Sequence, residues 1–328
     1  MPPLYPMRFV PIFKTALWGG RRIADMMPGA PAQGPISEAW LISDVAGNVS
    51  VVADGPLAGT SLRELMRTRR GELGLERHET FPLLVKIIDA AQPLSVQVHP
   101  NDEQARRLEN QPRGKTEAWY VLHAEPGARI FAGFKPGVDR AAFIKALAGG
   151  RVDDTLHSFE AEAGDCVFLP AGTIHAAGGG LTIFEVQQTS DLTYRLHDWG
   201  RVDAATGRPR ELHIDKALDC LDFETGPRNP SQRMTSSSDS SDAACESTTT
   251  GDMTPSCRHF GLTRNTAIEE ETLELQSCRI MYAVAGRATL HAPASEFEIT
   301  PGAAWLIPPG KYVLQQPDGF EFVVAFMR

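Results

Sequence analysis

The sequence predicts a mainly β protein made of two sandwich-like units with a few inserted helices. Three observations support this fold class. The 328 residues include 24 prolines and 29 glycines, short β-branched and aromatic runs lie between these turn residues, and one turn motif occurs twice. Closely spaced turns between apolar runs are typical of sandwiches and barrels. A repeated motif indicates that two parts of the chain share one architecture.

The repeated motif is a turn that follows a short apolar strand. Residues 164–175 have the pattern G-x5-P-x-G-x2-H, and residues 302–313 have the pattern G-x5-P-P-G-x2-V. In the first copy His175 is expected to point into the space that the strands enclose. In the second copy Val313 is expected to fill the same place with hydrocarbon. We therefore predict that one unit holds a polar site and that the other keeps only the scaffold.

The predicted strands are short runs of aliphatic, β-branched and aromatic residues. They cover Leu83–Ile88, Leu94–Val98, Ala118–Leu122, Cys166–Leu169, Leu181–Val186, Arg279–Val284, Ala303–Ile307 and Phe320–Phe326. In the second run, alternation places Ser95, Gln97 and His99 on one face and apolar residues on the other. A polar face of this kind is solvated, lines a cavity or binds a ligand.

Helical spacing of apolar residues is found in fewer segments. They are Ser61–Arg70, Glu103–Glu109, Asp139–Ala148 and Ile214–Leu221. Asn101 or Asp102 is the expected cap of the second helix. The third helix lies between Tyr120 and Gly164, a stretch much longer than its counterpart in the second copy. Residues 134–157 are therefore predicted to be a helical insertion into the first sandwich.

A segment rich in Ser, Thr and Asp, residues 231–256, divides the chain. It has almost no large apolar residues, so it cannot bury enough surface to offset its ordering entropy, and we predict a flexible linker. The division predicts a larger N-terminal unit over 1–230 and a smaller C-terminal β-sandwich over 257–328. The smaller unit contains no candidate metal ligands and is assigned a packing role.

Composition excludes several classes of protein. The net charge of −9 argues against a nucleic-acid binder, although a few local cations can still bind an anionic small molecule. Five scattered cysteines without a CxxC pair predict reduced thiols and a cytoplasmic location. The N-terminus does not resemble a signal peptide, and no apolar run approaches the roughly 18 residues of a membrane span.

Four side chains on the predicted strands and turns form a candidate metal site. They are Gln97, His99, Glu117 and His175. Two imidazoles, a carboxylate and an amide oxygen suit a divalent cation, and Zn²⁺ is the first choice. Each histidine alone is more often structural than a ligand. The shared site is favoured because the turn that bears a histidine has a duplicate without one. The other seven histidines are interpreted as structural or exposed.

Longer strings resemble a known family. The turn of residues 164–175 resembles the second motif of the cupin superfamily. Four segments resemble the metal-site segments of type I mannose-6-phosphate isomerases: LVKIIDAAQPLSVQVHPND (84–102), GKTEAWY (114–120), PAGTIHA (170–176) and SDLTYRLHDWGR (190–201). Residues 18–20 and 37–40 fit as well. The resemblance covers most of 7–225, and the length matches the short bacterial form.

The resemblance implies a fold and roles for individual residues. It implies two cupin-type jelly-roll units, of which 1–230 is catalytic. The implied zinc ligands, for one Zn²⁺ per chain, are Gln97, His99, Glu117 and His175. Arg195 corresponds to the catalytic arginine of the family. The residues that correspond to positions near the substrate are Ser95, Lys86 and Lys115. The Ser/Thr/Asp-rich stretch departs from a compact short form.

The reaction implied by the resemblance interconverts mannose 6-phosphate and fructose 6-phosphate. After ring opening, a proton moves between C1 and C2 through an enediolate. A divalent cation would stabilise the developing negative charge as a Lewis acid, and Arg195 would add a permanent positive charge. A carboxylate, a histidine or water could act as the base. Asp191 and His197 flank Arg195, and neither is assigned.

The sequence is also compatible with two other functions. One is an isomerase of an unphosphorylated aldose such as mannose or lyxose, and the other is a non-catalytic metal-binding or sugar-binding cupin. Lys86 and Lys115 favour a phosphorylated substrate, since a phosphate needs cations. Arg195 beside an intact ligand set disfavours the binding protein. The expected partner is therefore a small sugar phosphate, with no nucleic acid and no membrane. The sequence does not indicate the oligomeric state.

Overall fold

The structure is a computed structural model that describes residues 2–202, 207–231, 252–266, 270–316 and 319–328. It confirms a mainly β fold with few helices. The helices are α1 (Arg22–Met26), α2 (Leu62–Arg69), α3 (Asp102–Glu109), α4 (Arg140–Ala148), a 3-10 helix (Val152–Thr155) and α5 (Ile214–Cys220).

The strands before the Ser/Thr/Asp-rich segment are β1 (Met7–Arg8), β2 (Ile12–Lys14), β3 (Glu38–Ile42), β4 (Asp44–Val45), β5 (Asn48–Val49), β6 (Leu83–Ala90), β7 (Val96–Val98), β8 (Glu117–Ala124), β9 (Arg129–Phe134), β10 (Leu156–Glu160), β11 (Cys166–Leu169), β12 (His175–Ala177), β13 (Leu181–Gln188) and β14 (Tyr194–His197). The later strands are β15 (Asp252–Ser256), β16 (Phe260–Thr266), β17 (Glu270–Leu275), β18 (Arg279–Ala285), β19 (Ala288–Ala292), β20 (Ser295–Ile299), β21 (Ala304–Ile307), β22 (Gly310–Gln315) and β23 (Glu321–Met327).

The first unit, β6 to β14, is a jelly roll of two facing antiparallel sheets. One sheet has the order β11-β8-β13-β6 and continues through β3 to β2, and the other has the order β10-β9-β12-β7-β14. The space between them, called the lumen here, is filled at one end by apolar side chains from both sheets, among them Trp119, Ile130 and Ile183. The candidate ligands lie at the other end of this lumen.

The second unit, β15 to β23, repeats eight strands of the first, since β16 to β23 correspond to β6 to β13. Its sheets have the orders β21-β18-β23-β16 and β20-β19-β22-β17. Replacing each of β16 to β23 by the strand ten positions earlier in the numbering gives β11-β8-β13-β6 and β10-β9-β12-β7, and β14 has no counterpart among the described strands of the second unit. The predicted pair of jelly-roll units is therefore confirmed. The short strand β1 joins the second unit by pairing with β21, and β15 pairs with β16.

The repeat shifts by one residue after its turn, and this corrects one prediction. Tyr312 and Leu314 belong to the apolar lumen of the second unit, whereas Val313 lies outside it and is half-buried. The prediction that Val313 takes the place of His175 is therefore wrong. Tyr312 takes it, because one residue fewer connects the two strands of the second copy and side chains alternate between the faces of a strand.

Local sequence signals explain where the helices begin. Ser61 caps α2 by accepting a hydrogen bond from the Glu64 backbone N–H at 3.1 Å. Asn101 and Gln104 form a reciprocal capping box at α3. Asp139 caps α4, and α4 with the 3-10 helix lies between β9 and β10. The four predicted helices are present, and α1 was not predicted.

The two units pack through their β11-β8-β13-β6 and β21-β18-β23-β16 sheets, which share one hydrophobic core. Phe184 stacks on Tyr282 with ring centroids 4.8 Å apart. Tyr120 donates a hydrogen bond to Glu321 across the interface at 2.6 Å. The predicted linker, residues 231–256, lies largely outside the described residues, apart from Ser231 and from its end in β15. The division at this segment stays a prediction.

The described residues bear on two further expectations. Within them, no helix has the length and apolar character needed to cross a membrane. Cys166, Cys220, Cys257 and Cys278 are free thiols, and Cys245 lies outside the described residues.

Candidate metal centre

Three buried side chains converge at one end of the first lumen. His99 follows β7, Glu117 begins β8 in the facing sheet, and His175 begins β12. Glu117 Oε1 lies 3.2 Å from His175 Nε2, and its Oε2 lies 3.5 Å from His99 Nε2. Their ligand atoms all lie within 4.8 Å of one another, and it is the only such group in the described part of the chain. The structure therefore brings together three of the four predicted ligands.

Backbone carbonyls fix the tautomer of both imidazoles. His99 Nδ1 lies 2.8 Å from the carbonyl oxygen of Leu192, and His175 Nδ1 lies 2.9 Å from that of Thr173. A carbonyl can only accept, so each Nδ1 carries the proton and donates. Each Nε2 is then left with a lone pair on the side of Glu117. This arrangement is typical of histidines that bind a metal.

The charge states of these groups also suit a cation. Burial and the neighbouring Lys115 ammonium hold the pKa of His99 well below its usual value, which favours the neutral imidazole. Burial alone would raise the pKa of Glu117, but the adjacent Lys115 ammonium outweighs it, and the pKa is held well below its usual range. Metal ligands must be in these deprotonated states.

Glu117 supplies a further test of whether a metal fits. Its Oε1 is fully buried and has no hydrogen bond within the described residues, although His175 Nε2 is nearby. An ionised oxygen left unpaired in the interior is unfavourable. A cation bonded to this oxygen would satisfy it. The two Nε2 atoms, which lie 3.0 Å from Lys115 Nζ and 3.3 Å from Gln97 Nε2 respectively, could bind the same ion, so the residues present fit a divalent metal.

Gln97 lies beside the cluster with its amide nitrogen toward it. Its Nε2 is 3.3 Å from His175 Nε2, and its Oε1 faces the Ser95 hydroxyl at 3.5 Å. Ligation through oxygen therefore requires the amide to turn over. Oxygen and nitrogen differ little in shape, so the turn changes only the hydrogen bonds.

Both predicted lysines are buried against carboxylates. Lys115 Nζ bonds to Glu117 and lies 3.0 Å from His99 Nε2 and 3.3 Å from Glu185 Oε1. Lys86 Nζ lies 3.3 Å from the same Glu185 oxygen and 3.4 Å from Glu38. The structure thus places Lys115 at the cluster and connects Lys86 to it through Glu185.

The pKa values of Glu185 and Lys86 reflect their burial and their pairing with groups of opposite charge. Burial and the Glu117 charge raise the pKa of Glu185, with Lys115 and Lys86 opposing. Burial would lower the pKa of Lys86, but Glu185 and Glu38 outweigh it and raise the pKa above its usual value. Lys86 is therefore a permanent cation.

Sequence reasoning did not assign a role to Glu185. The available signal was its position as the one charged residue in the apolar run Leu181–Val186. A charge within a buried strand needs a partner, and strand pairing supplies it, because Glu185 stands directly opposite Lys86 in the register.

Arg195 lies on β14 directly opposite Gln97 of β7. Its Nε donates to the Ser95 hydroxyl at 3.3 Å, and its Nη1 donates to the Glu211 carbonyl at 2.8 Å. Burial and the nearby Arg210 lower the pKa of Arg195, yet a guanidinium stays protonated. Ser95 and Arg195 therefore adjoin the cluster through the Gln97 strand.

The residues that flank Arg195 are placed differently. Asp191 is exposed and precedes β14. A register irregularity separates His197 from Arg195, and the His197 ring packs edge-on against Trp199 with centroids 5.2 Å apart. His213, which was interpreted as structural, accepts a hydrogen bond from the Arg195 backbone N–H at 3.2 Å. None of these contacts identifies a base.

Comparison with known proteins gives matches over much of the chain. A family model for the catalytic domain of type I phosphomannose isomerases matches residues 7–125. The chain is 39% identical over 222 residues to mannose-6-phosphate isomerase ManA of Bacillus subtilis. This alignment covers 68% of this chain and 70% of that protein. The chain is also 40% identical over 205 residues to the mannose-6-phosphate isomerase of Streptococcus mutans, and this alignment covers 62% of this chain and 64% of that protein. The crystal structure of the Bacillus subtilis mannose 6-phosphate isomerase has a TM-score of 0.83 and 25% identity, and the match covers 99% of this chain and 100% of that one.

Proposed function

The chain belongs to the type I phosphomannose isomerase family, and from this membership and the geometry of the site we propose that it is a zinc-dependent isomerase of mannose 6-phosphate and fructose 6-phosphate. The family resemblance inferred from the sequence strings is confirmed by the comparisons. The metal, the reaction course and the site roles are the proposal.

The observation that carries the proposal is the buried His99–Glu117–His175 cluster, in which both Nδ1 atoms are bonded to backbone carbonyls and both Nε2 atoms lie beside one carboxylate. Gln97 would complete the set through its amide oxygen. Two imidazoles and a carboxylate are ligands typical of catalytic zinc sites, which keep a position open for substrate or water. One ion per chain follows, because the described residues contain one such cluster.

A cation bound there would supply Lewis-acid stabilisation of the substrate oxygens at C1 and C2 as the enediolate forms. Arg195 would hold a fixed positive charge beside those oxygens, with its fork oriented by Ser95 and the Glu211 carbonyl. Such preorganisation lowers the barrier because the charge need not be rearranged during reaction. The base stays unassigned.

The phosphate of the substrate is assigned to Lys86 and Lys115 as in the sequence prediction. Their pairing with Glu38, Glu117 and Glu185 supports a role in setting the charge of the lumen end. A sugar phosphate is the expected partner. The four free thiols in the described residues support the cytoplasm as the proposed location.

The first test is a coupled assay on zinc-loaded protein with mannose 6-phosphate and then mannose, repeated after chelation and after zinc is restored. We expect turnover of the phosphorylated sugar alone, abolished by the chelator and recovered with zinc. Turnover of free mannose at a comparable rate would move the substrate to unphosphorylated aldoses. Full turnover in chelated, metal-free protein would contradict the metal's role.

His175→Ala should remove bound zinc and activity together, because His175 supplies one of the two Nε2 ligands. His291→Ala is the matched control, since His291 lies in the second unit, away from the cluster, and its ring contacts Gln315 and Glu296. Zinc content by elemental analysis and kcat are the measurements. Zinc retained at one ion per chain in His175→Ala would contradict the ligand assignment.

A further inference from the structure

Gln187 is a fully buried amide beside the candidate metal centre that has no part in the proposed reaction. It is 0% exposed and stands directly opposite Glu117 in the pairing of β13 with β8. Directly opposed residues of an antiparallel pair place their side chains on the same face. Gln187 therefore lies on the lumen face next to the carboxylate ligand.

The amide of Gln187 closes the turn that follows β13. Its Nε2 donates to the backbone carbonyl of Ser190 and, at 3.0 Å, to that of Gln188. The Ser190 backbone N–H also donates to the Gln188 carbonyl at 2.7 Å. Because both partners of the Gln187 amide are acceptors, its NH₂ group must face them, and the opposite orientation would set oxygen against oxygen.

The same turn continues to the imidazole of His99. The Leu192 backbone N–H donates to the Ser190 hydroxyl at 3.3 Å, and the Leu192 carbonyl accepts from His99 Nδ1 at 2.8 Å. A chain of hydrogen bonds thus runs from Gln187 through Ser190 and Leu192 to His99. Its last bond is the one that directs the His99 Nε2 lone pair toward Glu117.

We propose that Gln187 is a positioning residue that holds the 188–192 turn and thereby fixes the tautomer and orientation of His99. The inference rests on the proposed metal site, since orienting His99 matters for a ligand. Outer partners of metal-binding histidines typically act in this way.

A purely structural role fits Gln187 poorly. Its Oε1 is buried with no hydrogen-bond partner in the described residues, which is unfavourable for folding. An apolar side chain of similar volume would avoid this unmet acceptor. What such a side chain lacks is the pair of donors that holds the turn.

The test is Gln187→Met, which removes both donors at similar volume. Thr182→Val is the matched control, because Thr182 is also buried on β13 and its hydroxyl also lacks a partner in the described residues. The first readout is the ¹⁵N tautomer signature of His99 in metal-free protein. The second is zinc affinity by competition with a chromophoric chelator.

We expect wild type and Thr182→Val to show the single Nδ1–H tautomer of His99. Gln187→Met should show a mixture of both tautomers, with zinc affinity lower by about tenfold to a hundredfold. If Gln187→Met does not fold, Gln187→Asn keeps the amide with a shorter reach and should show the same effects.

An unchanged His99 tautomer in a folded Gln187 variant would overturn the inference. So would a loss of zinc affinity that Thr182→Val reproduces. A wild-type protein that binds no zinc would instead overturn the proposed metal site. The tautomer readout still decides the role of Gln187 in that case, because it uses metal-free protein.

Discussion

The Arg195 guanidinium is held by two acceptors that do not belong to the metal cluster, the Ser95 hydroxyl and the Glu211 carbonyl. The role proposed for Arg195 is therefore separable from metal binding. A fixed cation at this place can act on the charge that develops at the substrate oxygens without supporting the ligands themselves.

Arg195→Ala should keep one zinc per chain and lower kcat by on the order of a hundredfold or more, since one preorganised charge-stabilising group is lost. The kcat of Arg195→Lys should lie between those of wild type and Arg195→Ala, because lysine keeps the charge and lacks the planar fork of donors. Arg129→Ala is the control, as Arg129 is exposed and its guanidinium donates to Ser158. An unchanged kcat in Arg195→Ala, with zinc content equal to wild type, would remove this residue from the mechanism.

The side chains of the site were more predictable from sequence than their backbone partners. Alternation along one strand and a repeated turn were enough to indicate Gln97, His99 and His175. The carbonyls of Leu192 and Thr173 that fix the tautomers were not predictable, because every residue type supplies a carbonyl. Only the fold determines which carbonyl meets an imidazole.

Among the elements, the repeated turn shows how a sequence motif can agree while the faces of its strands differ. The strands before the turn correspond residue for residue, since Cys166 pairs with Tyr120 and Ala304 pairs with Tyr282. After the turn a one-residue shift brings Tyr312 to the lumen. The motif spacing does not show this shift. The residue is lost after the last glycine of the motif, so the glycines and prolines of the two copies stay aligned.

The same register explains why the second lumen holds hydrocarbon. Leu273 stands opposite Tyr312 as Gln97 stands opposite His175. Leu275, two residues further along β17, corresponds to His99, and both leucines pack with the apolar core of the second unit. The candidate ligands of the first unit are thus replaced by apolar side chains in the second.

Gly172 is the glycine that the turn before His175 requires. Its φ is +90°, and a Cβ at this position would lie 3.2 Å from both the Asp222 Cβ and the Cys220 carbonyl. Its N–H donates to the His99 carbonyl at 2.9 Å, so the turn connects both histidine strands. A side chain at position 172 would therefore cause both backbone strain and steric crowding.

Gly172→Ala should therefore lower the free energy of unfolding by about 1–3 kcal/mol and weaken zinc binding. Gly137→Ala separates the two causes, because Gly137 has a φ of +81° with open space around it. It should cost about 1–2 kcal/mol and leave zinc affinity unchanged. Urea unfolding and chelator competition are the measurements. Equal effects of both substitutions on zinc affinity would show that the turn does not position His175.

At the scale of the whole molecule, the sequence division and the spatial division differ. Met7–Arg8 precedes the first unit in sequence, but it pairs with β21 of the second unit. A two-residue strand has no periodicity from which its partner could be predicted. The extent of the interface between the units was also not predictable from the sequence. Apolar residues on a strand indicate that the strand is buried, but they do not indicate whether the lumen or the neighbouring unit buries it.

This interface leads us to expect that the two units unfold together. Phe184 and Tyr282 stack at its centre, and both rings are fully buried. The sheets on either side bury one continuous set of apolar side chains. If the second unit unfolds, β13 and β8 of the first unit lose that cover, and β8 carries Glu117.

Tyr282→Ala should therefore lower the free energy of unfolding of the whole chain by about 3–5 kcal/mol, as for other large buried aromatic residues. Calorimetry should show one transition, and zinc release should move to lower temperature together with it. Val202→Ala is the control, since Val202 is 54% exposed and its truncation should change neither signal. Two separated transitions, with zinc released at the wild-type temperature in Tyr282→Ala, would show that the units are thermodynamically independent despite their shared core.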